Sequence, residues 1–244
     1  WSKFVNLAQI LETISQVNLL LLSVAFAFMF LSPFIRAIRL KVFLSEIKNI
    51  PLLNLVFLNG AAILLNFLIP IRAGEVAKGV YLNTKYGLHM GKAIIWIFLD
   101  RFVDFMVVLL LAGVLLLIIP TSLSINFIMV IIVILLTVLF ISYLAIFQQD
   151  FAKKMVNFLS YLLIKKYIKI YFVKVTSFIL DSFVILRRHP KDLAVMGILT
   201  VLAYAADGAI WYFTFVALGS SQDFIKMYLG QLLSALTYLI PAAP

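Results

Sequence analysis

Long uncharged stretches organise the chain. Asp, Glu, Lys and Arg are almost confined to the segments between five stretches, which are residues 13–35, 49–71, 105–149, 193–222 and 227–244. A helix needs about 20 apolar residues to span a bilayer, whereas a strand of a membrane barrel needs about 9–11 alternating residues. The pattern therefore predicts an all-α fold, with helices near residues 15–35, 52–70, 93–119, 124–148, 193–218 and 226–240.

Composition indicates that these helices lie in a membrane. Hydrophobic residues make up 65% of the 244 residues and charged residues 12%, against about 25% charged in soluble domains. We expect a polytopic helical membrane protein whose single domain covers residues 1–244. Because the chain stops at Pro244 directly after an apolar stretch, we also expect it to be truncated at its C-terminus. The basic residues form no separate soluble module, which argues against nucleic acid as a partner.

Several kinds of chemistry have no basis in the sequence. Cysteine is absent, which excludes disulfides, thiolate metal sites and a thiol nucleophile, and His89 and His189 are the only histidines. A multi-histidine metal site is therefore not expected. We predict no catalytic residue, no bound metal and no cofactor in this chain.

The positions of the basic residues, which outnumber the acidic residues by ten, assign sides, because short basic loops usually face the cytoplasm. Residues 150–192 contain nine Lys and Arg with apolar and aromatic residues between them, which predicts a cytoplasmic amphipathic connection. If every apolar stretch crossed the membrane, this connection would lie opposite the first basic segment, at residues 36–48. A re-entrant helical hairpin near residues 52–86, broken at Pro70, removes the conflict and makes every basic connection cytoplasmic.

The predicted break near Pro70 has the chemistry of an anion site. Non-helical backbone at membrane depth is tolerated where it is buried in protein or lines a wet cavity. Gly74 permits tight backbone and Asn66 can satisfy freed backbone groups. A helix that begins at about residue 73 would present N–H groups beside Arg72, an arrangement suited to phosphate. A plain interfacial loop, with Arg72 extended to the interface, remains an alternative.

A resemblance to a known family follows from this region. Its most specific residues are Leu65, Asn66, Pro70, Arg72, Gly74, Glu75, Gly87, Ala93, Asp100, Arg101 and Asp104, with a weaker match at residues 186–190 and 217–219. They resemble the lysylphosphatidylglycerol synthase transmembrane-region family, also called the flippase-like membrane domain, which forms the membrane half of multiple peptide resistance factors. The resemblance implies a lipid-handling membrane domain. It does not imply the synthase activity, because the chain has no soluble aminoacyltransferase domain.

Charges within the predicted helices are the remaining candidates. Asp100, Arg101 and Asp104 share one helix, and charges within a span normally face a polar interior or a partner. Arg101 could pair with Glu75 of the hairpin, and the set would then either line a head-group site or act only as a structural clasp. Asp207 has no adjacent cation, so it could be a proton site or form a structural bond to a hydroxyl, to Lys226 or to a neighbouring helix.

Together these features predict a flippase-like transporter for an anionic or phosphate-bearing lipid, aminoacylated and polyprenyl-linked lipids included. The substrate-binding residues would be Asn66, Pro70, Arg72, Gly74, Glu75, Lys78, Asp100, Arg101 and Asp104. We expect a multi-pass protein of a prokaryotic plasma membrane. The alternatives are a scaffold that docks a lipid-modifying transferase and, less favoured, a membrane enzyme that acts on head groups. Residues 68–70 and 239–241 share the sequence Leu-Ile-Pro, a weak indication of an inverted repeat.

Overall fold

The computed structural model describes residues 14–45, 48–69, 73–120, 124–161, 190–220 and 222–239, together with residues 169–170, 172–173, 176–177, 179–180 and 183. Within these residues the fold is helical throughout and contains no strand. Eight helices have defined bounds: α1 (Leu19–Leu44), α2 (Leu52–Leu68), α3 (Ala73–Tyr86), α4 (Met90–Ile118), α5 (Ile125–Phe147), α6 (Gln149–Tyr161), α7 (Pro190–Ala217) and α8 (Phe224–Leu239). The predicted all-α class is confirmed.

Four helices, α1, α4, α5 and α7, are long and apolar enough to cross a membrane. α2 and α8 are apolar but shorter. The 17 residues of α2 extend about 25 Å, which is less than the hydrocarbon thickness of about 30 Å. The chain is therefore a multi-pass membrane protein, and both α2 and α8 are short for a complete crossing.

α1 and α7 form an antiparallel pair with the most extensive packing in the molecule. At one end the amide of Asn18 donates to the carbonyl of Ala217 at 3.0 Å. Farther along, Phe28 stacks on Phe213 with ring centroids 5.8 Å apart, and Arg36 then reaches Asp207. The Asn18 side chain also caps α1 by accepting from Leu20 and Leu21, which satisfies amides that the first turn leaves free.

The first helix is longer than the sequence predicted. Its predicted end near residue 35 is wrong, since α1 continues to Leu44. Arg36 and Arg39 are therefore part of the helix and not of a basic loop, and Arg39 is only 1% exposed. Carboxylates of α4 and α7 pair with both guanidinium groups inside the bundle. Because these ion pairs compensate the charges, the helix continues past the two arginines instead of ending before them.

α2 and α3 pack against each other as a hairpin. A helix is present from Ala73, as predicted, and residues 70–72 before it lie outside the described residues. The Gly74 amide donates to Asn66 Oδ1 at 2.8 Å, so Asn66 satisfies a backbone group of the hairpin as predicted. A Cβ at Gly74 would overlap the carbonyl oxygen of Ala62, so the close approach of the two helices requires glycine. Whether the hairpin is re-entrant depends on its position in the bilayer and stays a prediction.

α4 is the central helix, because it contacts α1, α3, α5, α7 and α8. The largest apolar cluster joins α4 to α1, α2 and α3 and includes the edge-to-face contact of Phe43 with Trp96, 4.3 Å between ring centroids. α5 and then α6 pack on the periphery. α6 forms the first part of the predicted amphipathic connection, and part of the remainder, including residues 162–168 and 184–189, lies outside the described residues. Pro70 and residues 240–241 also lie outside them, so the inverted repeat stays a prediction.

Candidate functional site

Arg39 is the centre of a buried ion-pair network. Its Nη2 lies 2.7 Å from Asp100 Oδ1, and its Nη1 pairs with Asp104 and donates to Thr200 Oγ1 at 2.6 Å. α1 thus places one guanidinium between two carboxylates of α4 and a hydroxyl of α7. Burial of a charge is strongly unfavourable unless the charge is paired and hydrogen-bonded. The two terminal nitrogens of Arg39 meet both conditions, whereas its Nε makes no hydrogen bond.

Arg101 links the two carboxylates of α4 to the hairpin. Its Nη2 lies 2.6 Å from Asp100 Oδ2 and its Nη1 lies 3.0 Å from Asp104 Oδ2. On the hairpin side Arg101 Nε lies 3.8 Å from Glu75 Oε1, and Glu75 Oε2 lies 3.4 Å from Lys78 Nζ. The pairing of Arg101 with Glu75 expected from the sequence is present, and it is the longest ion pair of the network.

Arg36 joins Asp207 to the same network. Arg36 Nη2 donates to Asp207 Oδ2 at 2.7 Å, and its Nη1 lies 3.6 Å from Asp104 Oδ2. The guanidinium carbon also lies 4.7 Å from the centre of the Tyr204 ring, a cation–π distance. Of the alternatives open for Asp207, the bond to a neighbouring helix is the one present, and its partner is Arg36 rather than Lys226.

Within the described part of the chain, the network contains as many cations as anions. The cations are Arg36, Arg39, Lys78 and Arg101, and the anions are Glu75, Asp100, Asp104 and Asp207. An anionic ligand would therefore have to compete with carboxylates for a guanidinium group. The exposed pairs offer the easier exchange, because Arg101 is 27% exposed whereas Arg39 is 1% exposed.

A polar cavity of about 560 Å³ adjoins the exposed side of the network, within the range of about 300–1,000 Å³ typical of ligand pockets. Side chains of α1, α2, α3, α4, α7 and α8 line it. Its polar lining comprises Ser32, Arg36, Asn59, Asn66, Glu75, Lys78, Asp100, Arg101, Tyr204, Asp207, Gln231 and Ser234. Pro33 lies within α1 at the cavity wall. Because proline has no backbone N–H, the carbonyl of Met29 lacks its usual helical hydrogen bond.

The structure brings most of the predicted site residues together. Six of them line the cavity: Asn66, Glu75, Lys78, Asp100, Arg101 and Asp207. Asp104 does not line it but pairs with Arg101, which does. Gly74 does not face the cavity but fixes the hairpin that supplies Glu75 and Lys78. Pro70 and Arg72 lie outside the described residues, so the predicted anion site at the helix start is not described. The Gly74 amide, one of its expected donors, is already bonded to Asn66.

Several site residues were not identified from the sequence, among them Arg36, Arg39, Asn59 and Gln231. Arg36 and Arg39 were assigned to a loop, although their spacing of three places them on one helix face. Asn59 and Gln231 are amides within apolar helices and line the cavity. A polar residue inside a membrane span indicates a functional site. The candidates within the helices were chosen by charge, however, and an amide side chain is uncharged.

The hairpin lysine has an altered acidity. Burial, and then the positive charge of Arg101, lower the pKa of the Lys78 ammonium below its usual value, against the opposing effect of Glu75.

No group of three or more His, Asp or Glu side chains in the described segments is placed to bind a metal ion. The chemistry that the cavity offers is thus hydrogen bonding and exchangeable ion pairs.

The fold and the site define a polytopic helical membrane domain with a charge-lined internal cavity. The family model of the lysylphosphatidylglycerol synthase TM region matches residues 1–244, and the chain belongs to this family. The resemblance noted in the sequence is therefore confirmed. No match to the chain was found among curated proteins or among solved structures.

Proposed function

We propose that this domain moves a phosphate-bearing lipid between the two leaflets of a prokaryotic plasma membrane. The observation that supports the proposal best is the polar cavity beside the ion-pair network, within a bundle of membrane helices. Transfer of an ionised phosphate through hydrocarbon has a prohibitive free-energy cost. A charge-lined cavity would lower that cost, while the acyl chains stay in the surrounding lipid.

Exchange of partners is the proposed step of head-group capture. The lipid phosphate displaces Glu75 from Arg101, because this pair is long at 3.8 Å and partly exposed. Arg36 offers a second guanidinium, held by Asp207 at 2.7 Å. The displaced carboxylates remain available to a cationic group of the same head group, so an aminoacylated lipid would satisfy both signs of charge.

The proposed topology places every basic connection in the cytoplasm and makes the α2–α3 hairpin re-entrant. A cysteine-free sequence suits a test with single cysteines. Thr84→Cys, at the exposed end of α3, should resist an impermeant thiol reagent in intact cells, and Ser124→Cys, at the start of α5, should react. Reaction of the cysteine at 84 from outside would refute the hairpin.

Transport of fluorescent phosphatidylglycerol in proteoliposomes tests the function. In proteoliposomes with the wild-type chain, we expect lipid from both leaflets to reach the outer surface, where an added quencher removes its fluorescence. We expect the Arg101→Gln variant to fold but to leave the inner-leaflet lipid protected from the quencher. Lys85→Gln is the matched control, since it removes a cation of α3 that lies outside the cavity and contacts Tyr81. Equal transport by Arg101→Gln and the control would refute the role of the network.

Two other functions give different results in the same assay. A scaffold that docks a lipid-modifying transferase would show no transport by the wild-type chain and would retain the transferase in a pull-down. A membrane enzyme would change the chemical identity of the head group. We favour transport because the cavity joins exchangeable ion pairs to a lining from six helices.

A further inference from the structure

Two amide side chains in the cavity wall have buried polar atoms without partners. Nδ2 of Asn59 on α2 and Oε1 of Gln231 on α8 are buried and make no hydrogen bond in the described structure. Asn59 is 5% exposed and Gln231 is 7% exposed. Both line the same cavity as Arg36 and Arg101, but neither belongs to the ion-pair network.

Such atoms are unfavourable for folding. A buried donor or acceptor that loses water and gains no partner destabilises the folded chain, and an apolar side chain of the same shape would remove that penalty. The apolar surroundings of α2 and α8 would accept leucine or methionine at these positions. Amides that face a ligand cavity with unused hydrogen-bonding capacity therefore point to a partner supplied by the ligand.

The two free atoms specify the chemistry of that partner. Asn59 Nδ2 offers a donor and Gln231 Oε1 offers an acceptor. A hydroxyl group satisfies both kinds of atom, since it accepts and donates, whereas a phosphate oxygen only accepts. Neither amide carries a charge, so this part of the cavity suits an uncharged group.

We propose that Asn59 and Gln231 form a subsite for the uncharged, hydroxyl-bearing part of a lipid head group, such as a glycerol or sugar unit. This proposal rests on the proposed function, in which the phosphate of the same lipid binds at Arg36 and Arg101. The charged network then captures the phosphate, and the two amides select among phosphate-bearing lipids by their hydroxyl groups.

Equilibrium binding to the detergent-solubilised chain tests the subsite without any need for transport. The probes are dioctanoylphosphatidylglycerol and dioctanoylphosphatidylpropanol, which have the same phosphate charge and chain length and differ only in the hydroxyls of the head group. We expect the wild-type chain to bind the glycerol lipid about tenfold more tightly. Asn59→Leu and Gln231→Met should each reduce this preference severalfold and leave the affinity for the propanol lipid unchanged.

Gln149→Met provides the matched control. Gln149 also has a buried amide atom without a partner, its Nε2, but it does not line the cavity. The preference should survive in this variant. All three variants should unfold at the wild-type temperature or above it, because each removes an unsatisfied buried group, and this measurement separates a lost subsite from a misfolded chain.

The outcomes separate this inference from the proposed function. Equal affinities for the two lipids in the wild-type chain, absence of binding, or a preference that survives in both Asn59→Leu and Gln231→Met would overturn the subsite. A wild-type chain that transports lipid without such a preference would refute the subsite alone. A preference without transport would refute the transporter and support the subsite. Deacylated glycerophosphoglycerol, added as a third probe, should bind far more weakly, and equal binding would show that the subsite takes a free polyol instead of a lipid.

Discussion

The ion-pair network has an inner and an outer part that use the same residue types in different surroundings. The inner part is Arg39 between Asp100 and Asp104, all almost fully buried. The outer part consists of Arg36 with Asp207 and Arg101 with Glu75, and it borders the cavity. Since the cost of breaking an ion pair rises with burial, the inner part should serve folding and the outer part should serve ligand exchange.

The largest effect is expected at the centre of the inner part. Arg39→Met removes the more buried of the two guanidinium groups that Asp100 and Asp104 share. It should destabilise the domain by about 3–5 kcal/mol, because the two buried carboxylates then keep only the more exposed Arg101 and Arg36 as partners. The measurement is folded yield and thermal unfolding in detergent. Arg36→Met is the matched variant in the outer part, and a loss of stability as large as that of Arg39→Met would contradict the division.

A smaller loss is expected where the hairpin supports the outer part. Gly74→Ala places a Cβ against the carbonyl oxygen of Ala62 and should cost about 1–3 kcal/mol as α2 and α3 move apart. Transport should fall with it, since Glu75 and Lys78 shift from the cavity wall. Gly60→Ala is the control, because nothing lies within 4 Å of a Cβ there. An equal response of the two variants in thermal unfolding would show that the close approach of α2 and α3 is not required.

The smallest effect is expected within the outer part itself. A double-mutant cycle of Glu75→Gln and Arg101→Gln should give a coupling energy of at most about 1 kcal/mol, because the two groups lie 3.8 Å apart and are partly exposed. Chemical or thermal unfolding of the four chains provides the measurement. A coupling as strong as that of the inner part would mean that Glu75 is a fixed clasp and not an exchangeable partner.

The same contrast explains what the sequence could and could not predict. Asp100, Arg101 and Asp104 were identifiable because they are the only charges within the predicted helix at residues 93–119. The helix that begins near residue 73 was predicted from the Pro and Gly residues around its start. Arg36 and Arg39 stand at the edge of an apolar stretch, where basic residues usually mark the interface. Their role depends on carboxylates that lie more than 60 residues away in the chain, and no local pattern reports a contact of that separation.

The central claim is that a lipid head group enters the cavity beside the outer ion pairs. The most direct test measures how fast a thiol reagent modifies a cysteine in the cavity wall, with and without lipid. Ile210→Cys lines this cavity, and Ile198→Cys lines an apolar groove between α4 and α7. We predict that a small charged thiol reagent modifies the cysteine at 210, that dioctanoylphosphatidylglycerol slows this reaction, and that the lipid does not change the rate at 198. An unreactive cysteine at 210, or equal effects of the lipid at both positions, would contradict the account.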